Sequence, residues 1–504
     1  MEFLSCVFLL VLTFTLAQAL RSLLSRGKNN AKYKLPPGPS PLPILGNLLA
    51  LGKKPHQSLA KLAHIYGPIM SLKLGQVTTI VVSSPEMAKE VLQTHDQFLS
   101  NRAVPEAAAV HNHEKYGIAF LPVSPLWRDL RKLCNTQLFS NKSLDESQEL
   151  RRNKLQELIH DIQQSSLIGE AVDIGRATFN TAINLLSNTI FSVDLFQSAG
   201  SVGEFKKLIV NIMEEGGKPN LADFFPALRK VDPQRIKSRN GSYIGKIIDI
   251  SSRLVDQRLK QREVQGFDTN NDMLNTLLNI AQDNTQEMDR TQIEHLSLTL
   301  FLGGTDTIKS TVEWTMAELL KNEKAMSKVK QELEQTIGKG KHVEESDIAR
   351  LPYLQAVIKE TLRLHPPVPF LIPRKAIANV EISGYTIPKD ANVLVNVWAI
   401  GRNSSIWKNA NVFSPERFLS SEIDVNGRHY ELTPFGSGRR ICPGYPLALR
   451  MLYLMLGSLL NCFDWKLEDG VKIDDMNMDD NFGLTLGKAQ PVRIIPEKIS
   501  NSCL

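Results

Sequence analysis

The chain opens on an unbroken apolar run. Phe3 to Leu20 carries no charged side chain and is long enough for a short membrane span. Beyond it the period of the pattern changes several times. Ile69 to Val82 is rich in β-branched residues and roughly alternating, with Gly75 in the middle, which predicts a β-hairpin. From Ser84 to Leu362 most apolar positions recur at helical spacing, as in Leu144 to Gln163 and Ala325 to Ile337. A second strand cluster is expected at Val380 to Val397, interrupted by Gly384 and Pro388. Leu447 to Leu460 is largely apolar and reads as a buried helix. The expected fold is mainly α with small β-sheets. The polar stretches Gln265 to Asp272 and Ser420 to Arg428 read as surface loops inside one unit, although length alone would suggest about three domains.

Arg21, Arg26, Lys28, Lys32 and Lys34 follow the apolar run. Basic flanks stay cytoplasmic, so this order places the N-terminus across the membrane and the rest of the chain in the cytosol. A cleaved secretory signal is the competing reading, helped by Ala17-Gln18-Ala19. It is disfavoured because Met1-Glu2 supplies no basic residue ahead of the run. Leu35 to Pro43 is too dense in proline to continue a helix and reads as a stiff extended segment. The sequons at Asn141, Asn240 and Asn403 would stay bare on a cytosolic chain.

Composition narrows the class only a little. A hydrophobic content of 42% supports a large core, and a net charge of +6, not gathered into a tail, gives no sign of nucleic-acid binding. Cys6, Cys134, Cys442, Cys462 and Cys503 are odd in number and scattered, which fits a reducing compartment.

The chemistry concentrates in Pro434-Phe-Gly-Ser-Gly-Arg-Arg-Ile-Cys-Pro-Gly444. Cys442 lies just ahead of the apolar helix, whose N-terminus favours a thiolate over a thiol. Gly438 and Gly444 allow close backbone approach to the sulfur. No second cysteine stands at C-x-x-C spacing, so a zinc or iron–sulfur site lacks partners. No nearby motif supplies the histidine and amide that a cysteine nucleophile needs. A lone thiolate suits the axial position of haem iron. Phe435, Gly438, Arg440, Cys442 and Gly444 fit F-x-x-G-x-R-x-C-x-G, and here the chain resembles the cytochrome P450 family.

Three further stretches gain meaning from that resemblance. Trp127 and Arg131 are one helical turn apart, a spacing that alone would more often be a surface cation–π pair. In the family it clamps a haem propionate, with Arg440 and Arg374 completing the set. Gly303-Gly304-Thr305-Asp306-Thr307 interrupts an apolar helix at a cost of about 1 kcal/mol per glycine. By itself that stretch reads as a kink with solvating polar residues. The resemblance implies an oxygen-activating groove in which Asp306 and Thr307 relay protons. Two departures stand out there: Gly303 replaces the usual alanine, and Ile308 and Lys309 replace small polar residues. Glu360 and Arg363, at i, i+3, resemble the family's E-x-x-R, joined by Arg417 as a structural brace. His365 beside them reads as a packing residue.

The likeness spans the hinge to Leu486 and is nearest to plant microsomal hydroxylases of the geraniol 8-hydroxylase-like group. His56-Gln-Ser-Leu-Ala60, Gly217-Lys-Pro-Asn220, Phe370 to Lys375 and Trp398 to Asn403 carry it. It implies residues 1–22 as a single-pass anchor in the endoplasmic reticulum membrane, 23–45 as a basic, proline-rich hinge, and 46–504 as a monomeric catalytic domain. Implied cofactors are haem b, O2, and electrons from NADPH through a cytochrome P450 reductase, with Arg128, Lys132 and Arg439 as candidate docking charges. The implied substrate pocket is apolar, drawing on Ile118, Phe120, Leu300, Gly303, Gly304, Val368, Phe370, Leu371, Ile372, Leu484 and Thr485. The expected reaction is hydroxylation of a terpenoid such as geraniol at an allylic terminal methyl. Diterpenoids, prenylated quinols and tyrosine are the alternatives, the last kept open by His111 and His113. Two other classes remain open: a haem-thiolate isomerase or dehydratase, and a haem-binding protein without turnover.

Overall fold

The computed structural model describes residues 34–194, 202–265, 272–282, 289–468 and 471–499. The expected anchor and most of the basic hinge lie outside these. Among the described residues no helix is long and apolar enough to cross a membrane.

Local signals set most boundaries. Helix α1 (Pro55–Tyr66) has proline at its first position and precedes the hairpin of β1 (Ile69–Leu74) and β2 (Val77–Val82), which turns at Gly75 with φ 57°. A two-residue strand, β3 (Asn101–Arg102), leads into a long loop holding one short turn of helix, α2 (His113–Tyr116). Ser124 caps α3 (Pro125–Leu133) by accepting from the Trp127 N–H at 3.2 Å. The amphipathic stretch expected as one helix from Leu144 is broken: a short helix ends at Glu146, and α4 (Gln148–Ile168) begins after Ser147. Ser147 turns its hydroxyl back onto the Ser143 and Leu144 carbonyls, the competition with the helical ladder that serine is prone to.

Strand β4 (Val172–Asp173) runs into α5 (Ile174–Phe191), capped by Asp173, and α6 (Val202–Gly217) and α7 (Ile236–Gln265) follow. A capping box between Asp289 and Gln292 starts α8 (Arg290–Gly304), and α9 (Asp306–Lys321) continues it after a break at Thr305. Then come α10 (Glu323–Thr336) and α11 (Pro352–Leu364). A two-residue strand, β5 (Arg374–Lys375), precedes the second strand cluster, which forms β6 (Val380–Ile382), β7 (Tyr385–Ile387) and β8 (Asn392–Val395). The apolar run becomes α12 (Tyr445–Cys462), ending against β9 (Phe463–Leu467). The turn between β10 (Asp480–Asn481) and β11 (Gly487–Lys488) precedes β12 (Arg493–Lys498).

The main sheet has the order β1-β2-β8-β5-β3, with β2 and β8 parallel and the other pairs antiparallel. A smaller one orders β4-β12-β9. Helices α5, α8, α9, α11 and α12 bury their apolar faces together, and Phe301, Met316 and Met451 are inaccessible within that core. The stretch from Gln265 to Asp272 lies mostly outside the described residues. Its last residue corrects the surface-loop expectation: Asp272 is buried and takes a two-pronged hydrogen bond from Arg258 at 2.6 and 2.8 Å. Ser420 to Arg428 is irregular as expected, yet Val425 is buried beneath it.

Candidate active site

The cysteine loop is closed on itself. The Cys442 N–H donates to the Phe435 carbonyl at 2.9 Å, and Gly436 and Gly438 both adopt positive φ. Gly438 admits no side chain, because a Cβ would stand 2.1 Å from the Leu92 carbonyl oxygen. Ser437 ties the loop outward, donating through its hydroxyl to the Gly427 carbonyl at 2.5 Å. Gly444 precedes the first turn of α12. Burial pushes the Cys442 thiol up, while the Gly444 N–H, the Arg131 guanidinium and the Tyr445 N–H pull the other way. The second group of influences is that of a site prepared for a thiolate.

Four arginines gather beside the loop, each bonded to carbonyl oxygens. Arg131 donates to Ile441 O at 2.7 Å. Arg374 donates to Leu99 O and Ser437 O at 3.3 and 3.4 Å. Arg440 reaches Ser100 O at 2.9 Å, Ile118 O at 3.3 Å and Leu121 O at 2.5 Å. Arg102 reaches Ala119 O at 3.2 Å and Ile372 O at 2.6 Å. Among the described residues no carboxylate forms an ion pair with any of the four. Burial lowers Arg440 to about 9, aided by repulsion from Arg374 and Arg131, and lowers Arg374 to about 10. Burial and the same neighbours push Arg102 down as well. Trp127 lies among them, with the Arg440 guanidinium 4.3 Å and that of Arg131 5.9 Å from its ring centre. Its indole N–H is buried without a partner.

Such a site calls for an anion. Cations withdrawn from water without an ion-pair partner, next to an orphaned donor, cost stability unless a negative group joins them. A flat dianion that carries a metal would fit these residues together with Cys442, and haem with its two propionates is such a group. Arg102 was not singled out from the sequence. An isolated arginine in a two-residue strand gives no local signal, and only its pairing opposite Arg374 in β3 and β5 brings it here.

The second element of the candidate site is the α8–α9 break. Thr305 has φ −101° and ψ −66°, and its hydroxyl donates to Phe301 O at 2.9 Å. Thr307 Oγ1 donates back across the break to Gly303 O at 2.7 Å. Asp306 opens α9, its carboxylate 3.7 Å from Lys309 Nζ. The two glycines differ. A Cβ on Gly303 would meet nothing within 4 Å, whereas one on Gly304 would stand 2.8 Å from Leu186 Cδ1 of α5. Gly304 is therefore corrected from a pocket residue to a packing residue.

The remaining pocket candidates come from three places. Ile118 is buried and Phe120 half-buried in the loop before α3, and Leu300 is half-buried on α8. Val368, Leu371 and Ile372 are half-buried between α11 and β5, with Leu371 at φ 53°, a conformation uncommon for leucine. The buried Thr485 is held close, since Leu486 N donates to Pro367 O at 2.7 Å and Ser310 Oγ of α9 donates to Leu486 O at 2.8 Å. Two candidates depart from the expectation. Leu484 is 42% exposed and rests against Gly216 and Gly217 at the end of α6. Phe370 packs edge-on to Phe482 and against the cluster of Leu59, Met70, Leu72, Leu74 and Val81, on the sheet side.

Beneath the loop Glu360 accepts from Arg363 at 2.7 and 2.8 Å, from Arg417 Nε at 3.0 Å and from the Ser414 N–H at 2.7 Å. Arg363 also reaches Gly401 O, Ala410 O and Val412 O. The arrangement pins residues 401–417 onto α11. His365 stacks on Trp314 with ring centres 3.8 Å apart and bonds Glu318 at 2.7 Å, as a packing residue does. Arg439 is not a free docking charge: Asp96 holds it at 2.8 and 2.9 Å.

A cysteine loop built against an arginine pool, in a chain whose long helix is opened at two glycines, is the architecture of a haem-thiolate protein. Residues 36–492 match the family model described as Cytochrome P450, and the chain belongs to that family. It is a monooxygenase whose cofactor is haem b, which uses O2 and electrons from NADPH supplied through a reductase. Geraniol 8-hydroxylase of Catharanthus roseus is 54% identical over 99% of this chain and 100% of that protein. Geraniol 8-hydroxylase of Swertia mussotii is 54% identical over 98% and 99% of the two chains. Drimenol monooxygenase of Persicaria hydropiper is 50% identical over 95% and 96%. The chain is a plant cytochrome P450 of the geraniol 8-hydroxylase group.

Proposed function

We propose that this enzyme hydroxylates a terpenoid, a geraniol-like monoterpene alcohol, at its terminal allylic methyl. The observation that carries the reading is the 54% identity, over nearly the whole chain, to two geraniol 8-hydroxylases. The apolar character of Ile118, Phe120, Leu300, Val368, Leu371 and Ile372 supports it. Burial holds an isoprenoid chain at about 0.8 kcal/mol per CH₂ but gives it no direction. Orientation falls to wall shape and to an anchor for the hydroxyl at the far end. The open space at Gly303 favours a second reading in which the substrate is bulkier, a diterpenoid or a prenylated quinol. His111 and His113, which kept tyrosine open, both spend a ring nitrogen on protein partners, Gly241 O and His295.

In this reading the Cys442 thiolate would hold the haem iron. Trp127, Arg131, Arg374 and Arg440, with Arg102, would hold the propionates, and Phe435, Gly438 and Gly444 shape the loop. Glu360, Arg363 and Arg417 brace it from below. The haem, when bound, supplies the activation of O2. The chain's part is proton delivery and exclusion of water. Thr307 Oγ1 gives its hydrogen to Gly303 O, so its lone pairs remain free to accept. A proton entering through the Asp306 carboxylate would be taken on a Thr307 Oγ1 lone pair as Thr307 releases its own hydroxyl proton, now hydrogen-bonded to Gly303 O, toward the substrate side. Residues 1–22 anchor the enzyme in the endoplasmic reticulum membrane, 23–45 form the hinge, and the catalytic domain faces the cytosol as a monomer. Arg128 and Lys132, both exposed on α3, are docking charges for the reductase.

The test is a panel of monoterpene alcohols, abietane-type diterpenes, prenylated quinols and tyrosine, with reductase and NADPH. Turnover of geraniol at the terminal methyl is expected. Efficient turnover of tyrosine alone would overturn the reading, and turnover of only the large terpenoids would favour the bulkier substrate.

A further inference from the structure

The loop between β3 and α3 carries Ile118 and Phe120, and it is tethered at two levels. At the lower level its carbonyls at Ile118, Ala119 and Leu121 accept from Arg440 and Arg102. At the upper level α2 packs on α8, where two buried imidazoles meet: His113 Nδ1 lies 2.9 Å from His295 Nδ1. Tyr116 stacks on the His295 ring at 5.4 Å and 19°, and His113 meets Phe120 edge-on at 6.3 Å and 70°. Gly117 leaves the room for this, since a Cβ there would stand 2.5 Å from the His113 ring.

Between two neutral rings at this distance, one Nδ1 carries the hydrogen and the other accepts it. Burial pushes His113 down to about 3 and His295 to about 4, so both rings are neutral near pH 7 and the bond persists there.

We infer that the His113–His295 hydrogen bond is a positioning device that decides which carbon of the substrate is oxidised, by fixing Phe120 and Ile118 relative to the α8–α9 break. This rests on the reading of that loop as a wall of the substrate chamber. A substrate held by burial alone is oriented by the shape of its walls. A wall built on irregular chain opens readily unless it is clamped. One buried hydrogen bond between neutral groups changes a closed-to-open ratio about tenfold.

Two substitutions in the haem-loaded enzyme separate positioning from space-filling. His113→Phe keeps a flat ring beside Phe120 and removes the bonded nitrogen. His113→Asn keeps an amide, able to donate or to accept, near the place of Nδ1. Hydrogen exchange of the amides in residues 110–121 is measured together with KM, kcat and product position on geraniol. For His113→Phe the expected result is exchange about tenfold faster, a raised KM and a second oxidised position, at unchanged thiolate-haem content. His113→Asn is expected to restore exchange and product ratio. His295→Phe breaks the same bond from α8 and is expected to reproduce the shift should His113→Phe not fold. Wild-type exchange and product ratio in His113→Phe would overturn the inference. So would equal defects in His113→Phe and His113→Asn. If the wild type oxidises no terpenoid, the substrate assignment fails by itself and the exchange data still decide whether the bond clamps the loop.

Discussion

The two neighbouring glycines of the broken helix are expected to respond oppositely to the same added methyl group. Either alanine gains about 1 kcal/mol of helix propensity. At Gly304 the methyl arrives 2.8 Å from Leu186 Cδ1, too close for contact, so Leu186 must turn or α5 must yield. Overpacking of this kind costs about 1–3 kcal/mol, and the balance for Gly304→Ala is a loss of about 0–2 kcal/mol. At Gly303 no protein atom lies within 4 Å of the new carbon, so the stability change is the propensity gain alone. The methyl instead takes space from the ligand. Removing one methylene's worth of room is worth about 1–3 kcal/mol against a molecule that filled it, tenfold or more in affinity. A smaller ligand gains a contact of about 0.8 kcal/mol. Thermal unfolding of the haem-loaded variants, with spectral titration by geraniol and by an abietane diterpene, reads both quantities. Gly303→Ala is expected to match or exceed wild type in stability and to weaken only the diterpene. Gly304→Ala is expected to be no more stable than wild type and to leave the ratio of the two affinities unchanged. Equal destabilisation by both variants, or unchanged affinities in Gly303→Ala, would refute the placement of Gly303 against the ligand.

Thr307→Ala is expected to keep consuming NADPH while releasing hydrogen peroxide in place of product, and a wild-type ratio of product to NADPH would remove Thr307 from proton delivery. Glu360→Gln leaves Arg363 buried without its counter-charge, so a loss of about 3–5 kcal/mol is expected, seen as faster thermal loss of bound haem. Because His113 and His295 have folded values below their unfolded ones, their contribution to stability is complete above about pH 6.5 and is lost as pH falls toward 4 and then 3. The His113→Phe/His295→Phe double variant is therefore expected to show a shallower acid decline in unfolding titrations between those values. His111 and Asp289, which also act on His295, stay in place as its background. Reduction of the enzyme is expected to slow with ionic strength and with charge reversal at Arg128 and Lys132, while reversal at Arg439, already paired with Asp96, costs stability as well.

What the sequence disclosed was whatever depended on short spacing. The hairpin at Gly75, the strands flanking Gly384, the helix after Gly444 and the Phe435–Gly444 loop are all set by neighbours a few residues apart. What stayed hidden depended on distant partners. Gly303 and Gly304 are alike in sequence, and only Leu186, on another helix, separates their roles. Arg102 joins the arginine pool because β3 pairs with β5. His113 and His295 are 182 residues apart, so no local pattern marks their bond. Asp272 ends a polar stretch that reads as solvated, and its burial follows from distant partners, Arg258 and Ser192, that bond its carboxylate. Ser147 splits a helix whose apolar spacing continues straight through the break, because its hydroxyl prefers the carbonyls behind it.

Everything proposed for the site depends on Cys442 holding the haem iron as a thiolate beside the buried arginines. The ferrous protein under carbon monoxide tests this directly, with Cys442→Ala alongside. A Soret band at the red-shifted position typical of a thiolate ligand is expected for the wild type, with that band lost and haem retention weakened in the variant. An imidazole-type spectrum in freshly prepared, folded wild-type protein, or a red-shifted band that survives in Cys442→Ala, would contradict the assignment.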